Sequence, residues 1–360
     1  MLIKTGVLPS QDIEKMIEDG CIAMVDPPVE SQIQPASLDL RLGRVAYRLR
    51  ASFLPGADRR VADRLPDFKM HEVDLTNGAV LEKGCVYLVP LGEALNLPDG
   101  VSATANAKSS TGRLDVFTRC ITDHGVEFDR IEDGYSGPLF AEISPRSFSV
   151  LVRPGMRLNQ IRFKRGDARV SDADLSKIHA SVGLVNGPAQ IDDGLGFSVD
   201  LGIENGPVGY RAKPHTGLID LDQIGHYSVA DFWEPIYAEQ GHIILDPGAF
   251  YILVSREAVT IPPDYAAEMA PYLAMVGEFR VHYAGFFDPG FGHQSAGGAG
   301  SRGVLEVRCH EAPFALEHGQ SVGRLIYERM ADVPNLLYGA DLKSNYQGQG
   351  LKLSKHFRTV

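Results

Sequence analysis

Residues 108–113 read Lys-Ser-Ser-Thr-Gly-Arg, and Glu142 follows Arg113 by 29 positions inside the apolar run Leu-Phe-Ala-Glu-Ile. Hydroxyls, an ammonium and a guanidinium gathered in one turn suit an oxyanion or a phosphate, since all donate hydrogen bonds and two carry positive charge. A lone carboxylate in an apolar strand is a candidate proton carrier. Each feature also has a plainer reading. Serines are common in solvent-facing turns, and a strand carboxylate can pair with an arginine at a partly exposed surface.

These groups need elements to hold them. Between the turn and Glu142 lies Ile131-Glu132-Asp133-Gly134-Tyr135-Ser136-Gly137, a Gly-punctuated turn between apolar stretches that reads as a hairpin. The texture elsewhere is short β-branched and aromatic runs bounded by Gly and Pro, such as Cys85–Pro90 and Ala249–Val254. Leu158–Phe163 alternates apolar and polar residues, and Arg324–Glu328 repeats it. Many short strands with turn signals predict a mainly β chain of barrels or sandwiches with a few short helices. Ser10 is placed to cap a helix bearing Ile13, Met16 and Ile17 and stopped by Gly20, and residues 171–180 form a linker helix. Ser228–Asp231 is a capping-box pattern ahead of Phe232 and Trp233. The Gly-rich stretch 292–303 lacks the Gly-Lys-Ser/Thr of a phosphate loop and reads as a flexible insertion.

The order of phosphate turn, Gly-punctuated turn and carboxylate resembles the dCTP deaminase/dUTPase superfamily, with its R-S-S-x-x-R turn, I-D-P-G-aromatic-x-G hairpin and L-E ending. Lys108 stands where that family usually has Arg, while Ser109, Ser110 and Arg113 match in type and spacing. Glu132 stands at the hairpin Asp, Asp133 replaces its Pro, and Glu142 falls on the catalytic Glu. Gln34–Gly43 is similar to the family's first strand segment, and Tyr338 with Tyr346-Gln347-Gly348-Gln349 resembles its nucleotide-covering tail, with Asn345 in place of the usual Lys. The resemblance implies two tandem dUTPase-like distorted β-barrels of jelly-roll type and an enzyme that converts dCTP and water to dUTP and ammonia. It assigns Glu142 to proton transfer and Ser109 and Arg113 to the attacking water. Lys108 and Ser110 would contact phosphate, Glu132 the sugar 3′-hydroxyl, and the backbone at Phe140 and Ala141 the base. Tyr338, Asn345, Tyr346 and Gln349 would close over the nucleotide. Within the superfamily a dUTPase, or a bifunctional enzyme forming dUMP with Glu132 or Asp133 activating water, is the alternative; outside it, a non-catalytic nucleotide sensor.

Zinc deaminases use an H-x-E…P-C-x-x-C pattern, which is absent here, so no zinc and no all-protein metal site are expected. Mg²⁺ would arrive chelated by the triphosphate. A single Glu must then take a proton from water and give it up near neutral pH, which favours a buried setting.

The 360 residues allow two or three domains, and 44% hydrophobic content is ordinary for globular cores. A net charge of −11 argues against coating nucleic acid. No apolar run approaches a membrane span, the N-terminus lacks a signal-peptide core, and Cys21, Cys85, Cys120 and Cys309 show no C-x-x-C. These features predict a cytoplasmic protein with reduced thiols and neither membrane nor nucleic-acid partners.

The chain is also written twice. Ser37–Leu40 recurs as Ser198–Leu201, and Gly43–Arg48 as Gly206–Arg211. Leu81, Gly84, Tyr87, Pro98 and Glu142 recur as Leu245, Gly248, Tyr251, Pro262 and Glu306. Two homologous domains follow, 1–170 and 190–360, joined around 166–195. In the second, Leu273, Ala274, Met275 and Glu278 align with Lys108, Ser109, Ser110 and Arg113, so its phosphate turn is lost, although Asp288-Pro289-Gly290 and Glu306 remain. A homotrimer is expected, since superfamily members commonly build each site between copies around a threefold axis.

Overall fold

The computed structural model describes residues 4–271, 279–282, 285–339, 342–343 and 348–358. Leu273, Ala274, Met275, Glu278, Asn345 and Tyr346 lie outside the described residues. The chain is mainly β and divides into two units, Met1–Ala168 with Gly217–Ile224, and Arg169–Thr216 with Gly225–Val360. Gly217–Ile224, inside the span expected for the second domain, therefore belongs with the first unit. Its strand Ile219–Asp220 runs parallel to Val150–Val152. Arg153 holds it by hydrogen bonds to Asp220 and Asp222, each 2.7 Å from one guanidinium nitrogen.

The first unit has two main sheets. In one, Val101–Ala107 lies between Arg130–Ile131 and Arg157–Arg165, and Ser37–Arg41 pairs with the far edge of Arg157–Arg165. In the other, Ser136–Pro145 runs between Val116–Thr122 and Val86–Asn96, followed by Val45–Leu49 and Lys69–Asp74. The alternating strand Val101-Ser-Ala-Thr-Ala buries its apolar positions and half-exposes Ser102 and Thr104. Arg157–Arg165 departs from its alternation, because Asn159, Gln160 and Arg162 are buried beside Leu158, Ile161 and Phe163. Such polar groups need partners inside; Thr118 Oγ1 donates to Asn159 at 2.5 Å.

The second unit repeats this arrangement. Ser301–Cys309 runs between Phe250–Val259 and Phe279–His282, and Tyr265–Pro271 pairs with Ser321–Arg329. Glu142 faces Leu88 across one edge of its strand, and Glu306 faces Ile252. Both pairs are related by an offset of 164 (306 against 142, 252 against 88). Tyr47 opposite Leu88 and Tyr210 opposite Ile252 extend the repeat. The Ser37–Leu40 match does not survive. Val199 bridges Ser255 and Asp200 N donates to Val254 O, the places held in the first copy by Leu42 with Leu91 and Gly43 N with Pro90 O. Ser198–Leu201 thus stands about four residues further along than its sequence likeness indicates, and an insertion before Tyr210 restores the register.

The helix termini follow the serine-cap rule at one of three places. Ser10–Glu18 buries Ile13 and Met16, yet Pro9 is its N-cap and Ser10 its first helical residue. Proline supplies no side-chain oxygen, so the expected serine cap does not form. The linker helix Asp172–Val182 is capped by Ser171, whose Oγ accepts from Asp174 N at 3.2 Å, and ends at Gly183 with φ +68°. Ser228 precedes Val229–Phe232 without a side-chain cap bond.

Candidate active site

The turn after Val101–Ala107 is one helical turn, Ser109–Gly112. Lys108 N donates to Leu158 O at 2.9 Å, Arg113 N to Ser109 O at 3.0 Å, and Arg146 N to Asp115 O at 2.9 Å, so the turn is fixed at both ends. Ser110 and Arg113 are buried, while Lys108 and Ser109 are half-buried. The Lys108 ammonium is bonded to the Asp39 carboxylate, and Arg157 lies 3.5 Å from the same oxygen. Asp39 is fully buried, and its other oxygen has no hydrogen-bond partner among the described residues. Sequence reading placed Asp39 in a strand segment and missed this role. Its position three residues from the buried Leu42 carries no sign of a lysine 69 positions away.

Below this turn a second buried pair ties the strand Ser37–Arg41 to Val86–Asn96. Arg41 Nε donates to Glu93 at 2.8 Å, as does Arg41 N to the other oxygen, and Gln32 Nε2 adds a bond at 2.9 Å. The remaining Arg41 nitrogens reach the carbonyls of Asp26 and Pro27, which fixes the loop leading to Gln34.

The Gly-punctuated turn is not a hairpin. Arg130–Ile131 before it pairs with Val101–Ala107, whereas Ser136–Pro145 after it pairs with Val116–Thr122 and Val86–Asn96. The turn carries the chain from one sheet to the other. Gly134 has φ +68°, Gly134 N donates to Val101 O, and Leu97 N donates to Tyr135 O. Glu132 is exposed at its crest, with Arg130 Nε 3.0 Å away, and Asp133 accepts from Gly100 N at 2.8 Å.

Glu142 is only 2% exposed, on a strand paired along both edges. Arg119 stands directly opposite on Val116–Thr122. Its Nε donates to Glu142 Oε1 at 3.2 Å, and a terminal nitrogen bonds the same oxygen. Arg119 also donates to Ser52 Oγ at 2.9 Å, and its guanidinium carbon lies 3.5 Å from the Phe128 ring centre. Oε2 of Glu142 is buried without a hydrogen-bond partner among the described residues. Phe140, two residues along and so on the same face, packs against a buried cluster of Leu49, Phe53, Val61, Leu88 and Ile121, as do Phe128 and Phe68, the latter stacked on Phe53 within the segment 51–68. That segment covers the Glu142 face, and sequence reading did not find it. Phe140 and Ala141 are paired on both edges, with Ile121 and Pro90 and with Cys120 and Val89 respectively. Burial pushes the Cys120 thiol far above its ordinary range, so it stays protonated.

Among the described residues the side-chain hydrogen bonds of Glu142 go to Arg119. In the second unit Glu306 is buried, and Asp288-Pro289-Gly290 turns with Gly290 at φ +96°. Tyr338 N donates to Pro289 O at 2.9 Å, and its ring lies 5.5 Å from that of Phe291. Gln349 exchanges bonds with Arg302, its Nε2 donating to Arg302 O at 3.1 Å. The tail then folds inward. Gly225 N donates to Lys355 O and Arg358 N to Tyr227 O, and Phe357 packs edge-on against Phe232 and Trp233. Beyond Gln349, the end of the stretch that the resemblance assigns to the nucleotide, Leu353, His356 and Phe357 are buried in the unit.

Residues 4–167 match the N-terminal domain model, and residues 171–357 the C-terminal domain model, of 2′-deoxycytidine 5′-triphosphate deaminase. The chain belongs to this dCTP deaminase family. A crystal structure of 2′-deoxycytidine 5′-triphosphate deaminase from Agrobacterium tumefaciens is 55% identical, with a TM-score of 0.87, over 92% of this chain and 100% of that one. A dUMP-forming dCTP deaminase of Beutenbergia cavernae is 31% identical over 160 residues, 44% of this chain and 79% of that protein. A dCTP deaminase of Halorubrum lacusprofundi is 30% identical over 162 residues, 44% of this chain and 76% of that protein. Among the described residues no helix is long and apolar enough to cross a membrane.

Proposed function

We propose that the chain hydrolyses dCTP to dUTP and ammonia, with Glu142 carrying the protons. The observation that carries this reading is a carboxylate buried on an inner strand of a sheet, with one oxygen committed to Arg119 and the other without a hydrogen-bond partner among the described residues. Water adds to C4 of cytosine as its proton passes to Glu142, which delivers that proton to N3. The new C4 hydroxyl then loses its proton through Glu142 to the exocyclic amine. The C4–N bond breaks, ammonia leaves and a carbonyl remains. Atoms and charge balance, and the carboxylate ends as it began.

Ser109 and Arg113 orient the water, Lys108 and Ser110 bind the triphosphate with its Mg²⁺, and Glu132 contacts the sugar hydroxyl. Backbone near Phe140 and Ala141 reads the base, beside the register shift between Pro138 and Phe140. Tyr338, Asn345, Tyr346 and Gln349 cover the nucleotide. We place the enzyme in the cytoplasm as a homotrimer without nucleic-acid or membrane partners.

Some relatives are named dUMP-forming, which makes further hydrolysis of dUTP the second reading. Against it, Asp133 is bonded to Gly100 N and Glu132 is ion-paired with Arg130. Incubation with dCTP and with dUTP, assaying ammonia and pyrophosphate, separates the products. Ammonia without pyrophosphate supports deamination alone, both together support the bifunctional enzyme, and neither supports a nucleotide sensor. Glu142→Gln is expected to lower kcat by about 10²–10⁴-fold with dCTP binding retained. A variant keeping more than about a tenth of wild-type kcat would remove Glu142 from the mechanism.

A further inference from the structure

We infer that Arg119 is the positioning residue of the deaminase site: it clamps Oε1 of Glu142 and so assigns proton transfer to Oε2. This inference rests on the reading of Glu142 as proton carrier and deepens it. A carboxylate on a strand can rotate about its last bond, so two equivalent oxygens would share the work. Here they are not equivalent. Oε1 receives two hydrogen bonds from one guanidinium, while Oε2 is buried and unbonded among the described residues. An acceptor buried without a partner is costly in a fold, and such groups recur where a substrate or water completes the bonding.

Arg119 is itself held against movement. It sits opposite Glu142 in register, which fixes its backbone. Its guanidinium lies against the Phe128 ring and 4.8 Å from the Phe117 ring centre, and another donor is taken by Ser52. A planar fork restrained on these sides can hold one oxygen while leaving the second where it is, which an ammonium on a flexible stem does less well. The second copy offers a contrast, since its buried glutamate, Glu306, has His282 at the opposing register position.

The test uses full-length Arg119→Gln, Arg119→Lys and Arg119→Ala, each with Mg²⁺ and dCTP at a temperature where its melting curve shows it folded. Misplacing a catalytic group by about 1 Å can cost about 10²-fold in rate. Arg119→Gln is therefore expected to lose about 10²-fold in kcat with little change in KM. Lysine should recover part of the loss, and added guanidinium should restore part of the activity of Arg119→Ala. Wild-type kcat in Arg119→Gln, a loss confined to KM, or no response to lysine and guanidinium would overturn the clamp. Glu142→Gln, assayed in parallel, separates the two ideas. An inactive Glu142→Gln beside a fully active Arg119→Gln defeats the clamp alone, whereas an active Glu142→Gln defeats the catalytic reading beneath it.

Discussion

At the scale of single residues, type and spacing name the groups that the family resemblance assigns to substrate, but not the groups that hold them. Lys108, Ser109, Ser110, Arg113 and Glu142 announce themselves by type and spacing along a few positions. Arg119, Asp39 and Glu93 act through partners 23, 69 and 52 positions away. Which residue stands across a strand depends on register, and register is set by the whole sheet. Arg41 and Glu93 show what such a hidden pair does. Both are buried, and Glu93 takes bonds from Arg41 N, Arg41 Nε and Gln32. Removing only the arginine leaves a buried charge uncompensated, which costs about 3–5 kcal/mol, whereas replacing both partners by apolar groups is often neutral. Arg41→Met is therefore expected to lower stability by about 3–5 kcal/mol in urea titration, and Arg41→Met with Glu93→Leu to regain most of it. If the double variant were as unstable as the single one, the bonds to Asp26 and Pro27 would outweigh the ion pair.

At the scale of elements, the sequence marked most strands and turns but not which strand pairs with which. The turn at Glu132–Tyr135 has the glycine of a tight turn, and its φ requires one. Nothing local says that the strands on either side belong to different sheets. The docking of Phe357 was not legible for a similar reason. Gly, Asn, Gln and Tyr look like an unpacked terminus, while Phe357 lies beyond that stretch and docks among Tyr227, Phe232 and Trp233. The residues around 338 and 349 are thus bounded by an anchor on each side, at Pro289 and at Tyr227. Truncating a buried phenylalanine to alanine typically costs about 3–5 kcal/mol. Phe357→Ala is expected to destabilise the second unit by about that amount, read as a shift in the urea transition. A deletion after Leu337 should then impair folding as well as nucleotide binding. A truncated chain with an unshifted transition would show that the anchor contributes nothing.

At the scale of the whole molecule, duplication raises the question of which copy supplies which group. The repeat was visible in sequence because its offset is nearly constant, and the strand registers of Glu142 and Glu306 agree with it. Within one chain, however, the side-chain hydrogen bonds of Glu142 among the described residues go to Arg119. A site that needs both that carboxylate and the Ser109–Arg113 turn can draw them from different chains or wait for substrate to bridge them. Three chains supply three first copies, enough for a closed ring in which each turn meets the Glu142 of a neighbour. Strict alternation of first and second copies around one threefold ring is impossible, because three is odd. The expected assembly is therefore a homotrimer, seen by light scattering, with Glu142 catalytic and Glu306 structural. Mixing tests the ownership of the groups directly. Arg113→Ala and Glu142→Gln chains, each inactive alone, are unfolded together, refolded and assayed with dCTP. Shared sites predict a partial return of activity, since some interfaces pair an intact turn with an intact glutamate. Sites contained within single chains predict none, because every chain carries one defect. No recovery, together with an inactive Glu306→Gln variant, would transfer the catalytic role to the second copy.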